Sequence, residues 1–156
     1  AQNFVDALLA DHHNYLVVYP NNDLGSRLIL KAYEALNGNP RFRVIPSLRF
    51  EYFLTLLKNS QFIIGNSSAG IREAPYYGIP IINIGTRQQN RAVHADILHV
   101  DYQKAAIGAA LDMIDIHKVN VGDSDFGQGN SAQLFLDCLQ MTNFWQMNQQ
   151  KQFRDL

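Results

Sequence analysis

Between Gly65 and Pro80 the chain reads GNSSAGIREAPYYGIP, a stretch that concentrates groups able to hold a phosphate. A short apolar run, Phe62 to Gly65, enters Asn66–Ser67–Ser68, and the small Ala69–Gly70 step after it opens a helix. The first helical turn leaves backbone N–H groups unpaired and carries the positive end of the peptide dipoles, so an anion there meets several donors at once. Ser67 and Ser68 add two hydroxyls, and Gly70 is expected to let the anion come close to the backbone. A plainer reading stays open, because serine is a favoured N-cap everywhere and one of the pair can simply close the helix.

Glu73 follows five residues after Ser68 and six after Ser67, whereas a capping-box acid lies three residues after its hydroxyl, so capping does not account for it. A carboxylate there can accept both hydroxyls of a ribose, or it is a solvated helix charge paired with an Arg or Lys. Arg87, in Ile84–Gly85–Thr86–Arg87–Gln88, puts a planar cation after the next apolar run. It can grip phosphate with two parallel hydrogen bonds or lie against a base, or it is a surface arginine, as are Arg72 and Arg91 on the simplest view. His99, inside an apolar run, reads as a core residue, and His12, His13, His94 and His117 have no partner visible in sequence.

The elements that position these groups alternate. A helix is expected over Asn3–His13, a strand over Tyr15–Tyr19 ended by Pro20, and a helix from Leu24 to Leu36 whose turn and N-cap come from Asn21–Asn22–Asp23. Strand Phe42–Ile45, helix Phe50–Lys58, strand Phe62–Gly65, a short helix kinked by Pro75 and strand Ile79–Ile84 continue the pattern. A polar loop through Arg91, a strand at Ile97–Val100, a helix from about Tyr102 to His117, a Gly-rich flexible excursion at Asn120–Asn130 and a terminal helical stretch complete it. The strands lack in/out alternation, as expected when helices cover both faces of a parallel sheet. The fold class is therefore a doubly wound, Rossmann-like α/β domain spanning 1–156, with ligands beyond the carboxyl ends of its strands.

Composition narrows the partners. A net charge of −1 over 156 residues makes no broad field for polyanions, so neither nucleic acid nor an acidic membrane is expected. No apolar run reaches the roughly 20 residues that span a bilayer, and the start lacks a signal-peptide pattern. The single Cys138 forms no internal disulfide and suits a reducing, cytoplasmic setting, and no Cys/His spacing suggests a metal. The chain opens at Ala1 inside a helix, without Met, and reads as a piece of a longer protein.

The segments GNSSAGIRE and GIPIINIGTRQ closely resemble the signature of the hydrolysing UDP-N-acetylglucosamine 2-epimerases, among them bacterial polysialic-acid capsule enzymes and the epimerase half of the bifunctional animal enzyme. Tyr19–Pro20–Asn21–Asn22–Asp23–Leu24–Gly25–Ser26, Pro46–Ser47–Leu48–Arg49–Phe50, Leu98–His99–Val100 and Gly127–Gln128–Gly129–Asn130 extend the likeness, in order, over nearly the whole chain. The resemblance implies the carboxyl-terminal half of a two-domain GT-B-type enzyme that converts UDP-N-acetylglucosamine and water to N-acetylmannosamine and UDP. It implies that Ser67 and Ser68 hold the diphosphate with Gly70 beneath it, Glu73 the ribose, Arg87 the nucleotide region, that Asn21 lines the cleft, and that backbone at Leu48 meets uracil. The acid and base of such chemistry belong to the amino-terminal domain, so no catalytic residue and no cofactor is expected in this chain, and full-length relatives are expected to be homo-oligomers. Asn90 stands where the family pattern leads one to expect glycine, and no acid follows soon after Arg91. A GT-B glycosyltransferase domain and a stand-alone nucleotide-binding module without catalysis are the competing functions.

Overall fold

The structure, a computed structural model, describes residues 1–91, 97–117, 119 and 126–146, and the chain falls into two compact units, Ala1–Asp123 and Ser124–Leu156. The first unit holds α1 (Gln2–Ala10), β1 (Tyr15–Val18), α2 (Ser26–Tyr33) with a 3-10 turn at Glu34–Leu36, β2 (Phe42–Ile45), α3 (Phe50–Lys58) and β3 (Ile63–Gly65). It continues through α4 (Ala69–Arg72), α5 (Ala74–Tyr77), β4 (Ile81–Ile84), β5 (Ile97–Val100) and α6 (Lys104–Ile114). All pairings are parallel: Tyr15 lies opposite Phe42, Ile63 opposite Ile81, and Ile81 opposite Ile97. The fold is the expected Rossmann-like α/β arrangement. Its strands form two sheets, β1-β2 and β3-β4-β5, and among the described residues no ladder joins them.

β4 shows why the apolar runs do not alternate. All four of its residues are buried, and successive side chains point to opposite faces. Ile82 and Ile84 enter a core with Val5, Leu8, Ile107 and Leu111 from α1 and α6. Ile81 enters a second core with Leu57, Ile71, Ala74 and Ile97 beneath α3, α4 and α5. Each such side chain contributes about 1.5–3 kcal/mol on leaving water. The first core also takes Tyr15, Val17 and Phe42 from β1 and β2, so both sheets share one covered face.

Several boundaries move for local reasons. α1 stops at Ala10, where the Arg41 guanidinium donates to Leu9 O at 2.9 Å and, beyond the helix, to Asp11 O and to His13 O at 3.1 Å. α2 begins at Ser26 and not at Leu24: Gly25, at φ 91°, makes the turn, no side chain caps the helix, and Leu24 is fully exposed. Ile79 is not strand, because its amide and that of Gly78 (φ 67°) close α5 onto Ala74 O and Pro75 O at 3.0 Å each, a glycine-terminated helix end of the Schellman type. Pro75 does divide the helix after Ser68 into two four-residue pieces.

In the second unit α7 (Ser131–Gln140) and α8 (Thr142–Trp145) bury none of their residues; the Trp145 indole donates to Leu139 O at 2.7 Å. The Asn120–Asn130 excursion lies, over 120–125, outside the described residues. Among the described residues no helix is long and apolar enough to cross a membrane.

Candidate functional site

The loops after β1, β3 and β4 meet at the carboxyl ends of the strands, at the mouth of a groove of about 1080 Å³ that runs between β1 and β3. Asn21 and Asp23 come from the first loop, Ser67 and Ser68 from the second, and Arg87 and Gln88 from the third. Four of the residues expected from sequence, Asn21, Ser67, Ser68 and Arg87, are therefore brought together.

The turn after β3 has its own internal bonds. Ser67 Oγ accepts from the Ala69 amide at 3.3 Å, and Ser67 O accepts from the Gly70 amide at 3.2 Å. Ser68 is the N-cap of α4 and makes no side-chain cap bond; the Ser67 hydroxyl can still donate, and the amides of Ser67 and Ser68 have no protein acceptor among the described residues. With α4 only four residues long, the peptide dipole is small. The donors available at this turn are discrete N–H and O–H groups, with the Arg87 guanidinium on the same groove mouth.

Arg87 faces Asp23 across the mouth, Nη2 to Oδ2 at 3.8 Å, both exposed. Such a solvated pair contributes roughly 0–1 kcal/mol, so the guanidinium can turn to an entering anion at little cost. Gln88 is the residue that sequence reasoning passed over. It is 2% exposed, its Nε2 donates to Asn66 O at 2.8 Å, and its Oε1 accepts from Arg91 Nη1 at 3.3 Å. One buried amide thereby fastens the turn after β3 to the loop after β4. The signal for it lay in the Thr86–Arg87–Gln88 triplet, where attention went to the charge.

Gly85 and Asn90 shape that loop. Gly85 has φ 74°, a left-handed conformation that favours glycine, and an added Cβ there would push the exposed Tyr102 ring aside. Asn90 has φ 62°, the one non-glycine with positive φ among the described residues. Asparagine tolerates this left-handed region better than most side chains, so the departure from the expected glycine preserves the backbone path. The rest of that loop, 92–96 with His94, lies outside the described residues.

Three expected residues stand apart from the mouth. Gly70 is buried, and an added Cβ would meet Ile81 Cγ2 at 3.2 Å, so its small size makes room for β4. Glu73 is half-buried at the α4–α5 junction and does not line the groove, but its Oε2 is buried with no hydrogen-bond partner. Leu48, in the loop after β2, is half-buried and also off the groove.

The histidines are corrected in two places. His99 is exposed and its Nδ1 pairs with Asn83 Nδ2 at 3.0 Å, so it is no core residue. His13 is buried and has partners: Nδ1 lies 2.8 Å from Asp11 Oδ2, and Nε2 lies 3.1 Å from Asp115 Oδ1. Burial works against the charge on His13, but those two carboxylates outweigh it and raise its pKa. Burial likewise pulls Asp11 upward, but hydrogen bonds from Tyr15 Oη (2.5 Å), the His13 amide and the His13 ring hold it at about 2. Asp11, His12 and His13 have ligand atoms within 4.8 Å of one another; those of Asp11 and His13 are already committed to Tyr15, Asp115 and each other. The cluster lies at the amino end of β1, away from the groove mouth, and clamps the fold.

Residues 1–140 match the family model described as UDP-N-acetylglucosamine 2-epimerase. The chain belongs to that family. It is 40% identical over its whole length to a UDP-N-acetylglucosamine 2-epimerase of Neisseria meningitidis serogroup B, covering 42% of that protein. A hydrolysing UDP-N,N'-diacetylbacillosamine 2-epimerase of Legionella pneumophila is 29% identical over 85% of the chain and 35% of its own length. A polysialic acid biosynthesis protein of Escherichia coli is 36% identical over 61% of the chain and 24% of its own length. The chain thus spans less than half the length of these epimerase-family relatives.

Proposed function

We propose that this chain is the UDP-binding part of a hydrolysing UDP-N-acetylglucosamine 2-epimerase, which converts UDP-N-acetylglucosamine and water to N-acetylmannosamine and UDP for sialic acid synthesis in the cytoplasm. The observation that carries the reading is the convergence of Ser67, Ser68, Arg87 and Asn21 at one groove mouth, with two serine amides unused. Uncommitted N–H and O–H donors beside a mobile guanidinium suit a diphosphate. The family resemblance makes Glu73 the ribose acceptor, and its Oε2, which is buried without a partner off the groove, needs a donor that a shift of the α4–α5 junction would bring to it. The Legionella relative, hydrolysing by name, supports water as the second reactant.

The chain's share of the chemistry is leaving-group stabilisation. As the bond from C1 of the sugar to the diphosphate breaks, negative charge grows on the departing oxygen. Fixed donors aimed at it lower the barrier without reorganising. The acid and base at the sugar come from the amino-terminal domain of the same polypeptide, and the full-length enzyme is a homo-oligomer. The isolated chain therefore binds UDP and does not turn over UDP-N-acetylglucosamine.

Titration calorimetry with UDP tests the reading. Binding at up to millimolar ligand is expected, and Ser67→Ala and Glu73→Ala should each lose about 1–3 kcal/mol while circular dichroism stays unchanged. Full affinity in both variants removes those roles, and no heat in the parent removes the site.

A further inference from the structure

The loop that carries Arg87 is anchored on both sides of that residue. Gln88 follows it, and its buried amide holds Asn66 O. Ahead of it the backbone is fixed at Gly85, whose N–H donates to Val100 O at 2.8 Å and whose C=O accepts from Asn83 Nδ2 at 3.2 Å. Between the two anchors a turn closes from the Gln89 amide to Thr86 O at 3.1 Å, with Arg87 and Gln88 at its centre. The Gly85 carbonyl is the weak point of this frame, because glycine at φ 74° imposes little preference on the peptide that follows it. A side chain has to hold that carbonyl, and Asn83 does.

Asn83 is 2% exposed, and its Nδ2 has a second partner, Nδ1 of His99 at 3.0 Å, the residue opposite it on β5. The roles of these atoms follow from chemistry. A carbonyl oxygen only accepts, so the side-chain atom facing Gly85 O is the amide nitrogen; that nitrogen only donates, so His99 Nδ1 accepts, with the ring proton on Nε2. Both hydrogens of one buried NH2 group are thereby used. Turned over, the amide would set its oxygen against Gly85 O and against a ring nitrogen that offers a lone pair. His99 therefore adds to the preference for the orientation that holds the loop. The same amide borders a small cavity of about 10 Å³ under the turn after β3, together with Gly65, Ser67 and Gly70.

We propose that Asn83 and His99, neither of which lines the groove, are positioning residues for its mouth: exposed His99 orients the buried Asn83 amide, and the amide fixes the Gly85 carbonyl from which the Arg87 turn hangs. The consequence for UDP rests on the reading of the mouth proposed above. The Arg87 side chain is exposed and pairs only loosely with Asp23, at 3.8 Å, so the reach of its guanidinium is set by where its backbone is held. When that backbone wanders, the guanidinium is beside the Ser67 and Ser68 donors for less of the time, and a diphosphate has to order the loop as it binds. His99 passes this influence to the groove from an exposed position on β5, through one side chain.

The test compares Asn83→Leu, which keeps a branched shape and removes both hydrogen bonds, with His99→Leu, which removes the acceptor at the surface. His99→Asp restores an acceptor-only group near the place of Nδ1, and the double Leu variant completes the set. Without UDP, the NMR amide signals of Thr86 and Arg87 should move or broaden in both single Leu variants and keep their parent positions in His99→Asp. UDP affinity by titration calorimetry should fall about tenfold in Asn83→Leu and about threefold in His99→Leu, the scale of one or two hydrogen bonds. In His99→Asp it should stay within about twofold of the parent, although an added negative charge by itself weakens the binding of an anion. The double variant should bind like Asn83→Leu, because His99 acts through Asn83. Unmoved Thr86 and Arg87 signals, parent affinity in His99→Leu, a loss in His99→Asp as large as in His99→Leu, or additive losses in the double variant would each overturn the proposal. If Asn83→Leu does not fold, the two His99 variants decide. A parent chain that binds no UDP removes the nucleotide reading and leaves the ligand-free signals to judge the positioning.

Discussion

Gln88→Met separates support of the phosphate turn from contact with the ligand. The substitution keeps length and approximate volume, so it leaves little cavity, and it deletes both polar ends of a side chain that is 2% exposed. The donor to Asn66 O at 2.8 Å is lost. Asn66 itself is exposed, so water can reach the abandoned carbonyl. The cost is then near the net worth of one hydrogen bond, about 0.5–1.5 kcal/mol, and below the figure for a sealed group. The Arg91 contact at 3.3 Å is long and adds little. A loss of about 1 kcal/mol corresponds to a fall of about 2–4 °C in Tm for a chain of this size. If the turn must be held in place to bind, UDP affinity falls about fivefold with it, although Gln88 reaches the ligand only through Asn66. Scanning calorimetry and UDP titration on the same samples measure both quantities. A lower Tm with unchanged UDP affinity would show that the buried amide stabilises the loops without ordering the site.

Three other perturbations follow from the structure. His13, with a raised pKa, contributes stability in full below about pH 6.5 and loses it as pH climbs through its folded value. Asp11, held at about 2, contributes above about pH 3.8 and loses it as pH falls toward 2. Thermal melts should therefore peak between about pH 4 and 6.5, and His13→Gln should flatten the alkaline limb; an unchanged limb would assign it to other groups. Asn90→Gly should leave the melting temperature the same or slightly higher, whereas Asn90→Val should cost about 1–2 kcal/mol by forcing a β-branched residue to φ 62°; equal melts would deny the strain. Gly70→Ala should cost about 1–3 kcal/mol in unfolding through its contact with Ile81 and leave UDP affinity within about twofold, while a larger binding loss would return Gly70 to the phosphate.

The order of helices and strands was legible because the apolar runs of β1, β2, β4 and β5 are short, β-branched and punctuated by Pro20, Gly38, Pro40 and Gly85. The turn after β3 was legible because Asn66–Ser67–Ser68 sits between a strand and a helix. What escaped was long-range. Nothing near His13 in sequence announces Asp115, 102 positions away, and nothing near Gln88 announces Asn66, 22 positions away. Arg41 as the cap of α1 escaped for the same reason. At Gly70 the packed neighbour Ile81 escaped, because a missing side chain reads identically whether it admits a ligand or a neighbouring strand. The split between the two sheets was not legible either, since each strand's pattern shows that it is buried and not which strand it pairs with.

Amide chemical shifts followed by NMR during a UDP titration place the ligand without relying on any substitution. Shifts should concentrate at Ser67, Ser68, Arg87 and Asn21, with a bound phosphorus signal that moves as UDP is added, while Asp11 and His13 at the far end of β1 stay still. Shifts centred anywhere other than the loops after β1, β3 and β4, or none at millimolar UDP, would contradict the assignment of this groove mouth to a nucleoside diphosphate.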